Sequence, residues 1–272
     1  LKRIGLLGCG AIGTQLALAI DAKEFPAVLT HVYDINTDRS KKLASRLKHK
    51  PDIVANSHLL SLQPIDIVVE AASQSAVMDA ALGILQNRKD LLIMSAGALL
   101  DESVFEVLRD ACRQFQKTIY MPSGAIAGLD GLKAASGELE SVTLITTKHP
   151  NSLRGAKFFE DSAVSLDDIA KPTTIFSGTA KEAVSLFPAN INVAALLSLA
   201  GLGARHTRVD IIADPLTQSN THKIKAKGAF GEMTIAVQNV PDADNPKTSR
   251  LATLSAIRTL QQICTGDIRI GT

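Results

Sequence analysis

Between Leu7 and Ala11 the chain leaves an extended apolar run, Ile4 to Leu7, and enters a helical pattern by way of Gly8-Cys9-Gly10-Ala11-Ile12-Gly13. The spacing Gly-x-Gly-x-x-Gly constrains the fold more than any other stretch, because each glycine has its own physical task. The tasks are a tight turn, a close approach of backbone to a pyrophosphate, and close packing of helix on strand. Backbone N–H groups at the start of such a helix face an anion. Glycine-rich turns are common, so the motif carries weight only if strand, helix and a downstream carboxylate surround it.

They do. Ala11 to Ile20 reads as a helix, Pro26 lies in the connection, and the apolar run Val28 to Tyr33 ends in Asp34, 21 residues after Gly13. A carboxylate at that distance accepts hydrogen bonds from an adenosine ribose. Without the loop, Asp34-Ile35-Asn36-Thr37 would read as a solvated turn. A carboxylate here repels a 2′-phosphate and favours NAD, while Arg39 stands near enough to accommodate NADP.

Strand and helix go on alternating. A helix from Asn36 or Thr37 to about Leu47 is followed by an apolar strand, Ile65 to Glu70, that ends in Ala71-Ala72-Ser73. A helix from Gln74 to Gln86, a strand from Leu91 to Met94 ending in Ser95-Ala96-Gly97-Ala98, a helix capped by Asp101 and a strand from Thr118 to Met121 complete the series. This order predicts an α/β, Rossmann-type, doubly wound parallel sheet with its ligand beyond the carboxyl ends of the strands. The candidate cofactor residues there are Gly8, Gly10, Ala11, Ile12, Gly13, Asp34, Ala71, Ala72, Ser95, Ala96 and Gly97.

The 272 residues favour two domains. Hydrophobic residues at 46% and charged residues at 21% suit a soluble globular protein, and a net charge of +2 leaves no electrostatic footprint for nucleic acid. No apolar run has the length of a membrane span, and the opening strand leaves no room for a signal peptide, so the cytoplasm is the expected location. Cys9, Cys112 and Cys264 form no Cys-x-x-Cys pair, so neither a disulfide framework nor a zinc site of ordinary spacing is expected, and Cys9 reads as a packing residue.

Beyond Met121 the pattern changes. Pro122 to Gly131 is a small-residue segment leading into a helix, and Ser123 to Ala127 reads either as a loop at the nicotinamide end of a cofactor or as an interdomain hinge. Val142 to Thr147, Thr173 to Phe176 and Val209 to Ala213 read as strands, and Thr179-Ala180-Lys181-Glu182 has capping-box spacing for a helix that Pro188 must interrupt. Asn190 and Asn192 stand at the start of an apolar helix; one cap needs one residue, so Asn190 is read as the cap and Asn192 as a ligand contact. His222 to Gly228 and Gly231 to Val240 predict two antiparallel strands, and hence a second α+β domain on a mixed or antiparallel sheet.

His222, at the mouth of the first of those strands, is the histidine best set for proton transfer, with an ordinary surface histidine as the alternative. Lys223, Lys225 and Lys227 share one face of that strand, with Arg205 and Arg208 just upstream; most are expected to be solvated, and one or two could bond substrate carboxylates. Leu251, Leu254, Ile257 and Leu260 predict a C-terminal helix that returns to the first domain.

The combination of Gly8-x-Gly10-x-x-Gly13, Ser123-Gly124-Ala125-Ile126-Ala127-Gly128, Phe187-Pro188-x-Asn190-Ile191-Asn192-Val193 and Asp214-Pro215 followed by Asn220-x-His222 closely resembles the L-aspartate dehydrogenase family over the whole chain. The resemblance implies NAD(P)-dependent oxidation of L-aspartate to iminoaspartate, which feeds quinolinate and NAD synthesis or hydrolyses to oxaloacetate and ammonia. It implies His222 as the active-site histidine, Ala125 and Asn192 as NAD contacts, and a homodimer. One departure is Lys223, where an acidic residue commonly follows the histidine; it leaves the electrostatic surroundings of His222 open. The domain organisation read from all this is 1–121 plus about 246–272 for the dinucleotide, and 122–245 for catalysis, substrate and dimerisation. The alternatives are a related homoserine dehydrogenase or dihydrodipicolinate reductase type of enzyme, and a non-catalytic NADH-binding redox sensor.

Overall fold

The computed structural model describes every residue except 163, 188–191, 243–247 and 267–272. Two compact units emerge among the described residues, Leu1–Pro122 with 253–266, and Ser123–Ala252.

In the first unit, β1 (Lys2–Leu7), α1 (Ala11–Asp21), β2 (Ala27–Tyr33), α2 (Thr37–Arg46), β3 (Asp52–Ile53), α3 (Ser57–Leu62), β4 (Ile67–Glu70), α4 (Gln74–Gln86), β5 (Asp90–Ile93), α5 (Glu102–Phe115) and β6 (Ile119–Tyr120) alternate strictly. The strands form a six-stranded sheet in the order β3-β2-β1-β4-β5-β6, and every pair is parallel. The order reverses between β1 and β4, the switch point at which such sheets leave a crevice. All four residues of β4 are buried, which explains its near-continuous apolar sequence. Helix starts follow local chemistry: Asn36, Ser73 and Asp101 each accept a backbone N–H in the first turn of their helix.

The core on one side of this sheet includes Ile4, Leu6, Leu16, Ile20, Leu29, Leu43, Ile67 and Val69. Each large side chain buried this way contributes about 1.5–3 kcal/mol. Helix α11 (Arg250–Thr265, numbered below in order) adds Ala256 and Leu260 to the same cluster. Its buried side is narrower than the leucine spacing suggests, since Leu254 is 49% exposed while Thr253 is buried.

The second unit contains α6 (Leu129–Ala134), β7 (Leu139–Lys148), α7 (Pro150–Leu153), α8 (Phe158–Asp161), β8 (Thr173–Thr179), α9 (Ala180–Leu186), α10 (Asn192–Ala200), β9 (Thr207–Ala213), β10 (Asn220–Gly228) and β11 (Gly231–Asn239). Its five strands are ordered β11-β10-β7-β9-β8; β7 and β9 run parallel and the other pairs antiparallel. The capping box at Thr179 and Glu182 is formed in full. Phe187 is completely buried and stacks on Phe158 at 5.1 Å, with Phe176 and Phe159 edge-on to it. The interruption assigned to Pro188 and the cap assigned to Asn190 lie outside the described residues.

Candidate functional site

The glycine loop joins β1 to α1, and backbone hydrogen bonds tie it to its neighbours. Gly8 N–H donates to the Tyr33 carbonyl and Ala71 N–H to the Leu7 carbonyl, each at 2.8 Å. Asp34, directly after β2, is buried and turns its carboxylate onto the loop: Oδ2 accepts Cys9 N–H at 2.7 Å and Oδ1 accepts Asn36 N–H at 2.8 Å. A carboxylate oxygen has more than one acceptor position, so both remain able to take a further donor. Arg39 is exposed on α2 and lies close enough to Cys9 to act on it electrostatically.

The fit of a dinucleotide can be judged from what a side chain would meet at each glycine. Gly8 has φ +102°, and a Cβ there would lie 2.6 Å from the Ala71 carbonyl oxygen. A Cβ at Gly13 would overlap the Gly8 carbonyl oxygen. The first and third glycines are therefore required by the protein itself. At Gly10 a Cβ would meet nothing within 4 Å. That open space beside the start of α1 is where a pyrophosphate approaches backbone in this motif, so the residues fit the group. Cys9 packs under the loop with its Sγ 3.6 Å from Ser40 Oγ, and burial raises its thiol pKa to about 11, which removes it as a nucleophile at neutral pH.

Two further strand ends are held by a residue that the sequence reading treated only as a boundary. Glu70, 1% exposed at the end of β4, accepts Ala72 N–H at 2.7 Å and Ser95 Oγ–H at 2.8 Å on one oxygen. Its other oxygen accepts Ser95 N–H at 3.0 Å and Met94 N–H at 3.1 Å. Burial raises its pKa while the four donors oppose that. Glu70 thus fixes Ala71-Ala72 against Ser95-Ala96. Ala71 is half-buried and Ala72 exposed, whereas Ser95, Ala96 and Gly97 are buried. The small size of Gly97 also has a reason inside the protein, because a Cβ there would overlap the Gln74 side chain.

In the second unit, Ala125 is buried in the loop before α6, and its carbonyl accepts Asn239 Nδ2–H at 2.9 Å from the end of β11. Asn192 begins α10 and is half-buried. His222 is 2% exposed, opposite Thr146 in the β10–β7 register, with its Nδ1 3.1 Å from Thr146 Oγ1. Burial first, and the charge of Lys148 second, pull its pKa down to about 3, so the imidazole is neutral at physiological pH. The surface-histidine alternative therefore fails.

The cationic candidates fare differently. Lys223, Lys225 and Lys227 are exposed on the face of β10 opposite His222. Arg205 and Arg208 are exposed, and Arg208 donates to Ser177 Oγ at 3.3 Å on the corresponding face of β9. Lys148, one residue beyond the strand expected at Val142 to Thr147, is 3% exposed and on the face of His222. Among the described residues no group of three or more His, Cys, Asp or Glu is placed to hold a metal ion, and no helix is long and apolar enough to cross a membrane.

Residues 130–263 match the family model described as aspartate dehydrogenase, C-terminal, and residues 8–122 match that described as homoserine dehydrogenase, NAD binding domain. The chain is 66% identical to an L-aspartate dehydrogenase of Nitrosopumilus maritimus over 100% of both chains. It is 45% identical to one from Methanocella arvoryzae over 99% of both. A crystal structure of aspartate dehydrogenase from Thermotoga maritima matches with a TM-score of 0.75 and 27% identity, covering 99% of this chain and 100% of the other.

Proposed function

The chain belongs to the L-aspartate dehydrogenase family, and from that premise we propose that it converts L-aspartate to iminoaspartate with His222 as the proton-transfer group. The enzyme is an oxidoreductase that oxidises L-aspartate with a nicotinamide dinucleotide, NAD. The observation that carries the assignment to His222 is its setting: a buried, neutral imidazole anchored at one nitrogen by Thr146.

NAD, when bound, accepts the hydride that leaves the α-carbon of the substrate. The chain's own residues must hold the dinucleotide, orient the amino acid and take the proton that the amine gives up. Gly8, Gly10, Ala11, Ile12 and Gly13 would hold the pyrophosphate, and Asp34 the adenosine ribose. Both Asp34 oxygens are already drawn onto backbone N–H groups, which fixes the carboxylate for two ribose hydroxyls. A 2′-phosphate would bring negative charge against that buried carboxylate, so NAD is preferred to NADP despite Arg39. Ala71, Ala72, Ser95, Ala96 and Gly97 are the further cofactor contacts proposed in the first unit, with Glu70 holding Ala72 and Ser95; for Ala125 and Asn192 the support as NAD contacts is the family resemblance.

At His222, Thr146 decides which nitrogen does the chemistry. If Nδ1–H donates to Thr146 Oγ1, the lone pair of Nε2 is free to accept a proton, from the amine or from the water that attacks the imine. The threonine hydroxyl accepts equally well after protonation, so the ring keeps its place in both states. The family resemblance supports a homodimer and the cytoplasm as its location.

The test is NADH formation from L-aspartate, run beside NADP and beside L-homoserine. Activity with aspartate and NAD well above both is the expected result. Comparable turnover of homoserine would overturn the substrate assignment, since only the cofactor half matches the homoserine dehydrogenase family model.

A further inference from the structure

Along one face of the second sheet the side chains change character. On β7 that face runs Val142, Leu144, Thr146, Lys148, and on β10 it runs Ala226, Ile224, His222, Asn220. Ala226 pairs with Val142, Ile224 with Leu144 and His222 with Thr146, so the first half of the face is apolar and the second half polar. All eight residues are buried, Asn220 to 1%, Thr146 and His222 to 2% and Lys148 to 3%. Strand β9 continues the face with Ile211 beside Thr146 and Ala213 beside Lys148, a small residue that leaves room next to the lysine stem. Among the residues of β7, β9 and β10 on this face, Lys148 is the cation.

An ammonium is rarely buried this deeply, because losing water penalises charge unless an anion or several acceptors compensate. Lysine carries three N–H donors, so it can satisfy partners within the fold and still offer one to a ligand. The reaction brings in a substrate with two carboxylates. The exposed lysines of β10, and Arg208 on β9, lie on the opposite face of the sheet from His222.

We propose that Lys148 binds a carboxylate of L-aspartate and seats the substrate's amine against His222. The proposal rests on the reading of His222 as the proton-transfer group. It makes Lys148 a substrate-binding residue and assigns dicarboxylate selectivity to the polar end of the sheet rather than to its basic outer face. Substrate negative charge beside Lys148 also offsets the cationic field at the imidazole, which makes the histidine a better proton acceptor when aspartate is present than when it is not.

The experiment replaces Lys148 by Met, close in length and apolar, and by Gln, polar and neutral. Steady-state kinetics with L-aspartate are combined with titration of succinate, a non-reacting dicarboxylate, into the enzyme loaded with NADH. Removing one partner of a buried charge pair weakens binding by about 30- to 1,000-fold. Both KM for aspartate and Kd for succinate are expected to rise by that amount, with NADH affinity unchanged. Either variant suffices if the other does not fold. Lys148→Ala supplemented with ethylammonium should regain succinate affinity, a recovery that a purely structural role would not produce. Unaltered KM and succinate affinity would overturn the proposal, and so would a fall in kcat alone, because Lys148 would then act only through His222. If His222→Ala keeps full turnover while Lys148→Met loses succinate, the proton-transfer reading falls and the carboxylate site stands.

Discussion

At the glycine loop the constraint is backbone against backbone: Gly13 under the Gly8 carbonyl within the loop, and Gly8 against the Ala71 carbonyl of the adjoining strand end. At the polar end of the second sheet, Thr146 and His222 meet across a separation of 76 residues, and the constraint is side-chain chemistry in a buried place. At Gly8 and Gly13 the first region tolerates no added side chain, and it contributes no reactive group. The second would accept substitutes of similar size and lose its chemistry. Substitution at Gly8 or Gly13 should therefore damage the fold, and substitution in the second region should leave the fold standing.

The largest effect is expected at His222. Replacing it with Ala removes the proposed proton acceptor, and a positioned general base is worth about 10²–10⁴-fold. Turnover of aspartate should fall by that factor while NADH affinity, followed by its fluorescence, stays within about twofold. Undiminished turnover would show that the polar end of the sheet is structural.

Gly13→Ala is the counterpart in the first region. The new methyl would overlap a backbone carbonyl rather than a flexible side chain, so α1 must shift away from β1. A loss of about 3 kcal/mol or more is expected, in line with other overpacked sites where nothing can give way. The urea midpoint reports it. A midpoint close to that of the parent would mean that the loop is softer than its geometry indicates.

The same asymmetry governs what could be read from the sequence. The loop, Asp34 and the strand–helix alternation were legible because each depends on local spacing. The edge strand β3 was not, since both of its residues are exposed and leave no apolar run, and six-residue α3 is too short to show a period. On α11 the leucines mark a face, but the helix is turned so that Thr253, Ala256 and Leu260 are buried and Leu254 is not. Lys148 and Glu70 carry no signal of their own in the sequence, because a charged residue at the end of an apolar run ordinarily marks where a strand meets solvent. Only the register of β10 on β7, and the convergence of β4 and β5, turn them inward. Lys223, Lys225 and Lys227 show the converse, since alternation correctly put them on one face without telling which face carries the chemistry.

His222 also predicts a pH dependence. Its pKa falls from an ordinary 6.5 to about 3 in the fold, through burial and then Lys148, so the neutral form is the one that folding favours. The contribution is complete above pH 6.5 and is lost as the pH falls toward about 3, because in that window the unfolded chain binds a proton that the folded chain refuses. The slope is at most about 1.4 kcal/mol per pH unit for one group. His222→Gln should flatten the decline of the urea midpoint between pH 6.5 and 4, and an equally steep decline in the variant would show that the imidazole is not held neutral by its site.

The smallest effect on stability, and the sharpest test of the contrast, is at Gly10. It differs from Gly13 in facing open space where a Cβ would go, and its φ of −74° is one that any residue adopts. Alanine is a poorer N-cap than glycine, so Gly10→Ala should cost less than about 1 kcal/mol in folding. Its methyl would nevertheless stand where the pyrophosphate meets the start of α1, and NADH affinity should fall far more than stability does. Paired with Gly13→Ala, it separates glycines that the protein needs for itself from one that only a ligand needs. If Gly10→Ala binds NADH as the parent does, the open space beside it is not the phosphate site, and the match of the loop to a dinucleotide would rest on its spacing alone.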